Sequence, residues 1–321
     1  MRVPLVSIII PTYKRPQMFQ EALESAATQT YGNIEIIVSD DSSDTITEDL
    51  VRKWGASQPC EKLAYQRNVP ALGAAENFAK SVERANGKYV NLLMDDDRLS
   101  PAMVTRMAAL METDTSINFV TSCRAWIDEK GDRGGLLPGL EMAVACDAIL
   151  DGVEIGNLCL SRCTNLIGEP STVLFRRSAL TEAFGHIAGR RYGCNVDMAT
   201  WLSLASTARI GFLRDVLSET RMHASQQSQT LEMRIRGVTD WLHQVRIGPT
   251  FGFLADPNTQ AAAIRTATAN AETVIREATA QGVAGSEPPG LTRQLLGELV
   301  RELDLLYEVR PGGIASRFTI A

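Results

Sequence analysis

Three consecutive carboxylates, Asp95, Asp96 and Asp97, follow, after Met94, a short, mostly apolar, strand-like stretch from Val90 to Leu93. Acid groups set so close repel one another, which costs stability unless water screens them or a cation sits among them. Hard oxygen ligands suit Mg2+ or Mn2+, ions commonly held by one or two carboxylates plus the phosphates of a substrate. The alternative is a solvated acidic turn ahead of a helix, with Ser100 as N-cap and Pro101 at the first helical position. Two other residues invite chemistry. Asp197 falls in the first turn of a helical pattern, behind Asn195 as cap and ahead of the stripe Met198, Trp201, Leu202 and Ala205. A carboxylate there is also favoured by the helix dipole alone. His223 follows a strand-like run, Leu217 to Met222. A lone histidine is more often a packed or surface residue than a ligand, although neutral imidazole suits a metal and imidazolium a phosphate.

The elements that must position these groups alternate through the first hundred residues. Leu5 to Ile10 reads as a buried strand ended by Pro11, Pro16 to Gln29 as a helix, and Ile34 to Val38 as a second strand. Asp44 caps a helix running through Trp54, Lys62 to Arg67 is a third strand, and Leu72 to Ala85 a helix stopped by Asn86-Gly87. Strands and helices in this order predict an α/β fold, a Rossmann-like, mostly parallel sheet flanked by helices. Ligands of such sheets bind beyond the carboxyl ends of the strands. Every one of those ends is polar here: Thr12, Tyr13, Lys14 and Arg15, then Asp40, Asp41, Ser42 and Ser43, then Asn68, then the aspartates.

PTYKRP after the first strand, IIVSDDSSD after the second, the segment from Gly73 to Asn77, and GKYVNLLMDDDRLSP come in one order and spacing. Together they resemble the family 2 glycosyltransferases of the GT-A fold, through roughly residue 225. The resemblance implies that Pro11, Thr12 and Arg15 line a nucleotide pocket and that Asp41 accepts a hydrogen bond from the base. Asp40, Asn68, Gly73 and Asn77 belong to the same nucleotide-sugar site. Asp95 would hold the ribose or a sugar hydroxyl, Asp96 would ligate a metal bridging the diphosphate, and Asp97 is a second candidate ligand. Ser42 stands where the family has a Gly. Asp197 matches the family's catalytic base, although Val196 replaces the Glu usual before it. Arg221-Met222-His223 matches a strand ending in Arg-x-His, whose His contacts metal or diphosphate.

The activity so implied is a metal-dependent, inverting transfer from a nucleoside-diphosphate sugar, UDP-linked by expectation, to a hydroxyl of a glycan, lipid-linked or other acceptor. Synthesis of bacterial surface glycans or glycoconjugates is the expected setting. Two other readings stay open: a nucleotide-sugar-binding or scaffold protein without turnover, and a sugar nucleotidyltransferase, whose usual glycine-rich loop is replaced by PTYKRP.

Composition narrows the setting further. A net charge of -6 and a pI near 5.3 argue against a nucleic-acid partner, which would call for a basic face. Cys60, Cys123, Cys146, Cys159, Cys163 and Cys194 form no CxxC pair, so reduced thiols are expected, without zinc or disulfides. Neither a signal peptide nor a bilayer-spanning run is read, which predicts a cytoplasmic protein, with the inner membrane face as an alternative location.

Residues 1–228 read as one glycosyltransferase domain, with a nucleotide-sugar half (1–101) and an acceptor half (102–228). Within the second half, Asn118 to Ile127 reads as a pair of strand segments, Asp128 to Asp132 as a hairpin turn, and Ser171 to Phe175 as a strand followed by a helix from near Ser178. Arg209 to Leu213 is a further short strand. Residues 229–321 read as a helical extension. It comprises the stripe Leu231, Ile235, Val238, Leu242 and Val245 flanked by Arg234, Arg236 and Arg246, then Ala261 to Ala280, then Leu291 to Tyr307 beyond a Gly285 to Pro289 linker. Its helices could serve peripheral membrane contact or homo-oligomer formation.

Overall fold

The computed structural model describes residues 3–57, 63–223, 230–280 and 290–308. Cys60, the Gly285 to Pro289 linker and the boundary at residue 228 lie outside them. The nucleotide half forms as its periodicity dictates. Strand β1 (Val6–Thr12), helix α1 (Pro16–Ala27), β2 (Ile34–Asp40), α2 (Ile46–Ser57), β3 (Leu63–Arg67), α3 (Ala74–Glu83) and β4 (Tyr89–Leu92) follow in turn. All seven residues of β1 are buried, as a central parallel strand requires. β1 runs on through Pro11 instead of stopping there. The even-numbered β1 residues face β2 (Val6 N donates to Asn33 O, Thr12 O accepts from Asp41 N), so Pro11 turns its nitrogen toward β4. β4 has already ended at Leu92, opposite Ile9, so the missing N–H forfeits no ladder bond.

The short strand β5 (Arg98–Leu99) then precedes helix α4 (Met103–Thr113). This corrects the expected helix start: α4 has Ala102 at its N-cap, and Ser100 instead donates its backbone N–H to Leu217 O. β6 (Ile117–Ile127) is a single eleven-residue strand, not a pair, and turns at Asp128 to Asp132 into β7 (Arg133–Leu136). β8 (Ala148–Asp151) leads into α5 (Gly152–Arg162), and β9 (Leu174–Arg176) follows. The helix expected near Ser178 is only a 3-10 turn, Arg177–Ala179. After it come the hairpin strands β10 (His186–Ile187) and β11 (Arg190–Arg191), then α6 (Val196–Ala205) and β12 (Arg209–Arg221). β12 is one strand where two short ones were expected. Its pairing with β6 shifts register between Leu213 and Val216, and exposed Arg214 and Asp215 sit at that irregularity.

The main path through the sheet is β3-β2-β1-β4-β9-β6-β12-β5. β3, β2, β1 and β4 are mutually parallel, and the strand order reverses at β1. A crevice therefore opens beyond the carboxyl ends of β1 and β4. On the other half, Trp201 of α6 packs between Phe119, Phe175 and Phe184 and donates its indole N–H to Gly168 O at 3.0 Å. That contact fixes α6 on the sheet.

Helices α7 (Leu231–Ile247), α8 (Pro257–Ala280) and α9 (Gly290–Glu308) continue the same core. Ile235, Leu242 and Val245 of the α7 stripe are buried in it. Arg234 pairs with Glu277 and Arg246 with Glu302. The face that could have lain on a membrane is thus taken up by α8 and α9. No described helix is long and apolar enough to cross a bilayer. Cys123, Cys146, Cys159, Cys163 and Cys194 are free thiols.

Candidate functional site

A cleft of about 670 Å3 occupies the crevice, walled by Pro11, Thr12, Arg15, Asp41, Asp95 and Asp96 among others. Its acidic side is built by the turn after β4. Asp95 accepts from Tyr13 N at 3.1 Å and from Arg15 Nη1 at 3.1 Å. Asp96 Oδ2 accepts from Arg15 Nη1 at 2.7 Å and lies 3.0 Å from Nε2 of His223. Burial, with the charge of Asp96 adding to it, pushes the Asp95 carboxyl above its ordinary range. Arg15 reaches this corner because Lys14 takes a left-handed backbone conformation (φ 55) and is tied to Ser42 Oγ.

Asp97 turns the other way. It is buried, its two oxygens accepting from Ser171 Oγ and from the backbone N–H of Arg221. This corrects its expected part as a second metal ligand: it staples the β4 turn to β12 and to the 170–172 turn. Arg221 completes that staple, a role the sequence pattern did not reveal. Its buried guanidinium donates to the backbone oxygens of Asp96 (2.8 Å) and Asp128 (2.9 Å) and to Glu21. The signal was an arginine two residues before His223 on a strand that lies against the acidic turn.

Asp96 and His223 supply one hard oxygen and one imidazole nitrogen. No group of three or more His, Cys, Asp or Glu side chains able to hold a metal ion occurs among the described residues. A donor set this small fits an ion such as Mg2+ or Mn2+ that takes its remaining ligands from substrate phosphates and water.

The basal wall is a network around Asp41. Its carboxylate accepts from Asn68 Nδ2 (2.8 Å), Leu72 N (3.2 Å) and Gly73 N (2.8 Å), which draws the 68–73 loop over the cleft. Gly73 precedes α3 with φ 82, a conformation costly for any residue with a side chain. Asp40 and Asn68 do not line the cleft, contrary to expectation. Asp40 is fully buried and spends its carboxylate on Ser42 N and Tyr65 OH. Asn68 stands behind Asp41, gripped by Arg84, a residue the sequence did not single out. Asn77 is on the wall, but its amide is engaged with Ser39.

Asp197 lies in the first turn of α6 and is half-buried. Its oxygens accept from Asn165 Nδ2 at 2.8 Å and Met198 N at 2.7 Å. Burial pushes the carboxyl up to about 7, and the negative charge of Glu169 adds to the effect. Asn195 holds the N-cap position without capping, because its amide donates to Gly237 O. Asp240 of α7 instead accepts from the backbone N–H groups of Cys194 and Asn195, so the C-terminal helices hold the entry to α6.

Residues 7–184 match the family model described as glycosyl transferase family 2. Over 229 residues the chain is 28% identical to an uncharacterized glycosyltransferase of Rickettsia prowazekii (strain Madrid E), which covers 71% of this chain and 67% of that protein. S. aureus TarS 1–349 in complex with UDP-GlcNAc is similar in structure, with a TM-score of 0.62 at 17% identity over 94% of this chain and 81% of that one. The mannosyltransferase PcManGT from Pyrobaculum calidifontis, in complex with GDP-Man and Mn2+, gives 0.51 at 18% identity over 96% and 89%. These structural likenesses establish the fold, a central sheet flanked by helices as in GT-A glycosyltransferases.

Proposed function

The chain belongs to glycosyl transferase family 2, and on that premise we propose that it moves a sugar from a UDP-sugar to an acceptor hydroxyl, with a divalent metal and with inversion. The observation that carries this reading is the convergence of Asp95, Asp96 and Arg15 on one cleft at the switch point of the sheet, with His223 buried 3.0 Å behind Asp96. TarS binds UDP-GlcNAc and PcManGT binds GDP-Man with Mn2+, which supports a nucleotide-sugar donor and a metal here.

A bound metal would be held by Asp96 and His223 and would offset charge growing on the leaving diphosphate. Arg15, the cation already in that corner, contributes to the same end and orients the donor. Asp197 takes the proton of the acceptor hydroxyl. As the acceptor oxygen bonds to the anomeric carbon, the bond to the diphosphate oxygen breaks and its electron pair leaves with the diphosphate. A carboxyl titrating near 7 is well matched to that proton transfer at neutral pH. Attack from the face opposite the leaving group inverts the anomeric centre.

Incubation with a panel of nucleotide sugars, with and without Mn2+, tests the reading. Metal-dependent release of nucleoside diphosphate, with an inverted anomer by NMR, is expected. Pyrophosphate would mean nucleotidyl transfer, and binding without product a non-catalytic protein.

A further inference from the structure

A second cavity, of about 400 Å3, lies between the start of α3, the β10–β11 hairpin and the C-terminal helices α7 and α9. It shares Leu72, Gly73 and Ala74 with the donor cleft, so the two spaces adjoin along that loop. Its opposite wall includes Asp240, which holds the backbone just before Asp197. The cavity is therefore placed between the donor cleft and the entry to α6, and its size is that of a small-ligand site.

The charges lining it balance: Arg190, Arg191 and Arg236 against Glu76, Asp240 and Glu298. Arg190 pairs with Glu302 at 2.7 Å and Arg191 with Glu76 at 3.2 Å, whereas Arg236 has no ion pair among the described residues. A phosphate group entering here would meet three carboxylates. A lipid chain would strip water from the charged side chains and return no hydrogen bonds. Sugar hydroxyls both donate and accept, so they satisfy guanidinium forks and carboxylates alike.

We infer that this cavity is the subsite for a neutral, hydroxyl-rich sugar unit of the acceptor, with Arg236 and Glu298 as its specificity residues. The inference rests on the transferase reading, and it makes α7 and α9 part of the substrate site. Arg236→Ala and Glu298→Ala test it, each checked for folding by circular dichroism. Saturation-transfer NMR is run with methyl glycosides of glucose, galactose, mannose, N-acetylglucosamine and rhamnose, and UDP affinity is measured by calorimetry. At least one glycoside should bind the parent protein and bind each variant about tenfold more weakly, the loss typical of a hydrogen bond to a charged group. UDP affinity should stay unchanged. Binding of no glycoside, unchanged glycoside affinity in both variants, or a parallel loss of UDP affinity would each overturn the subsite. If the parent protein binds a glycoside but releases nucleoside diphosphate from no nucleotide sugar, the transferase reading fails by itself, and the acceptor role goes with it.

Discussion

Asp96 Oδ2 and His223 Nε2 lie 3.0 Å apart although 127 residues separate them in the chain. The buried guanidinium of Arg221 makes this contact possible by gripping the backbone oxygen of Asp96 from the strand that ends next to His223. A carboxylate of the cleft wall and a buried imidazole behind it are thereby held together, with Arg15 on the same carboxylate from the cleft side.

Asp96→Asn is expected to lose metal-dependent UDP binding while the fold persists. The Asp96 side chain is 13% exposed, and its charge disfavours ionisation of both Asp95 and Asp97, so an amide there relieves repulsion. Calorimetry with and without Mn2+ checks this against the melting temperature. UDP binding that keeps its Mn2+ dependence would remove Asp96 as a ligand.

Arg15 and a metal ion compete for the same oxygen. Arg15 Nη1 sits 2.7 Å from Asp96 Oδ2, so a divalent ion binding there meets a like charge before any diphosphate is present. Arg15→Gln should bind Mn2+ more tightly in the absence of nucleotide and UDP more weakly in its presence. Mn2+ titrations followed by water relaxation report the first effect without any turnover. Weaker Mn2+ binding would show instead that Arg15 orders the carboxylates for the ion.

If His223 helps to hold the metal, His223→Ala should lower kcat more than UDP affinity, because the metal's hold on the diphosphate strengthens as charge moves onto it. Equal losses in both would indicate uniform binding, and unchanged kinetics would leave His223 with packing alone.

What was legible in the sequence follows from what is local. In the nucleotide half β1, β2 and β4 are mostly apolar runs set among helix signals, and the elements through β4 form within a few residues of expectation, whereas the two-residue strand β5 gives no such signal. In the other half the sheet is assembled from distant pieces. Arg214 and Asp215 read as a break in β12, yet β6 alongside holds that strand together through the register shift. The aspartate run was visible, but not the directions of its members. Asp97 faces inward because Ser171 and Arg221, 74 and 124 residues away, provide its donors. Asp40 looked like a ligand group, but Tyr65 and Ser42 consume its carboxylate.

The final prediction concerns Asp197, where rate and stability should respond to pH in opposite senses. Its carboxyl is raised from 3.8 to about 7 mainly by burial. The folded protein therefore holds a proton that the unfolded chain releases. The stability this provides is fully present below pH 3.8 and is lost as pH rises through about 7. Turnover should run the other way, rising through the same range as the base ionises. Asp197→Asn should cut transfer by on the order of 100-fold, since an amide cannot take the acceptor proton, and leave UDP affinity near normal. It should also flatten the fall in melting temperature between pH 5 and pH 8, because an amide does not titrate. If Asp197 served only the start of α6, Asn would transfer sugar at nearly the parent rate with at most a modest loss of stability. Parallel pH profiles of kcat and melting temperature for both proteins separate the two cases. A variant with parental kcat at pH 7 would exclude Asp197 as the base even if its melting curve changed as expected.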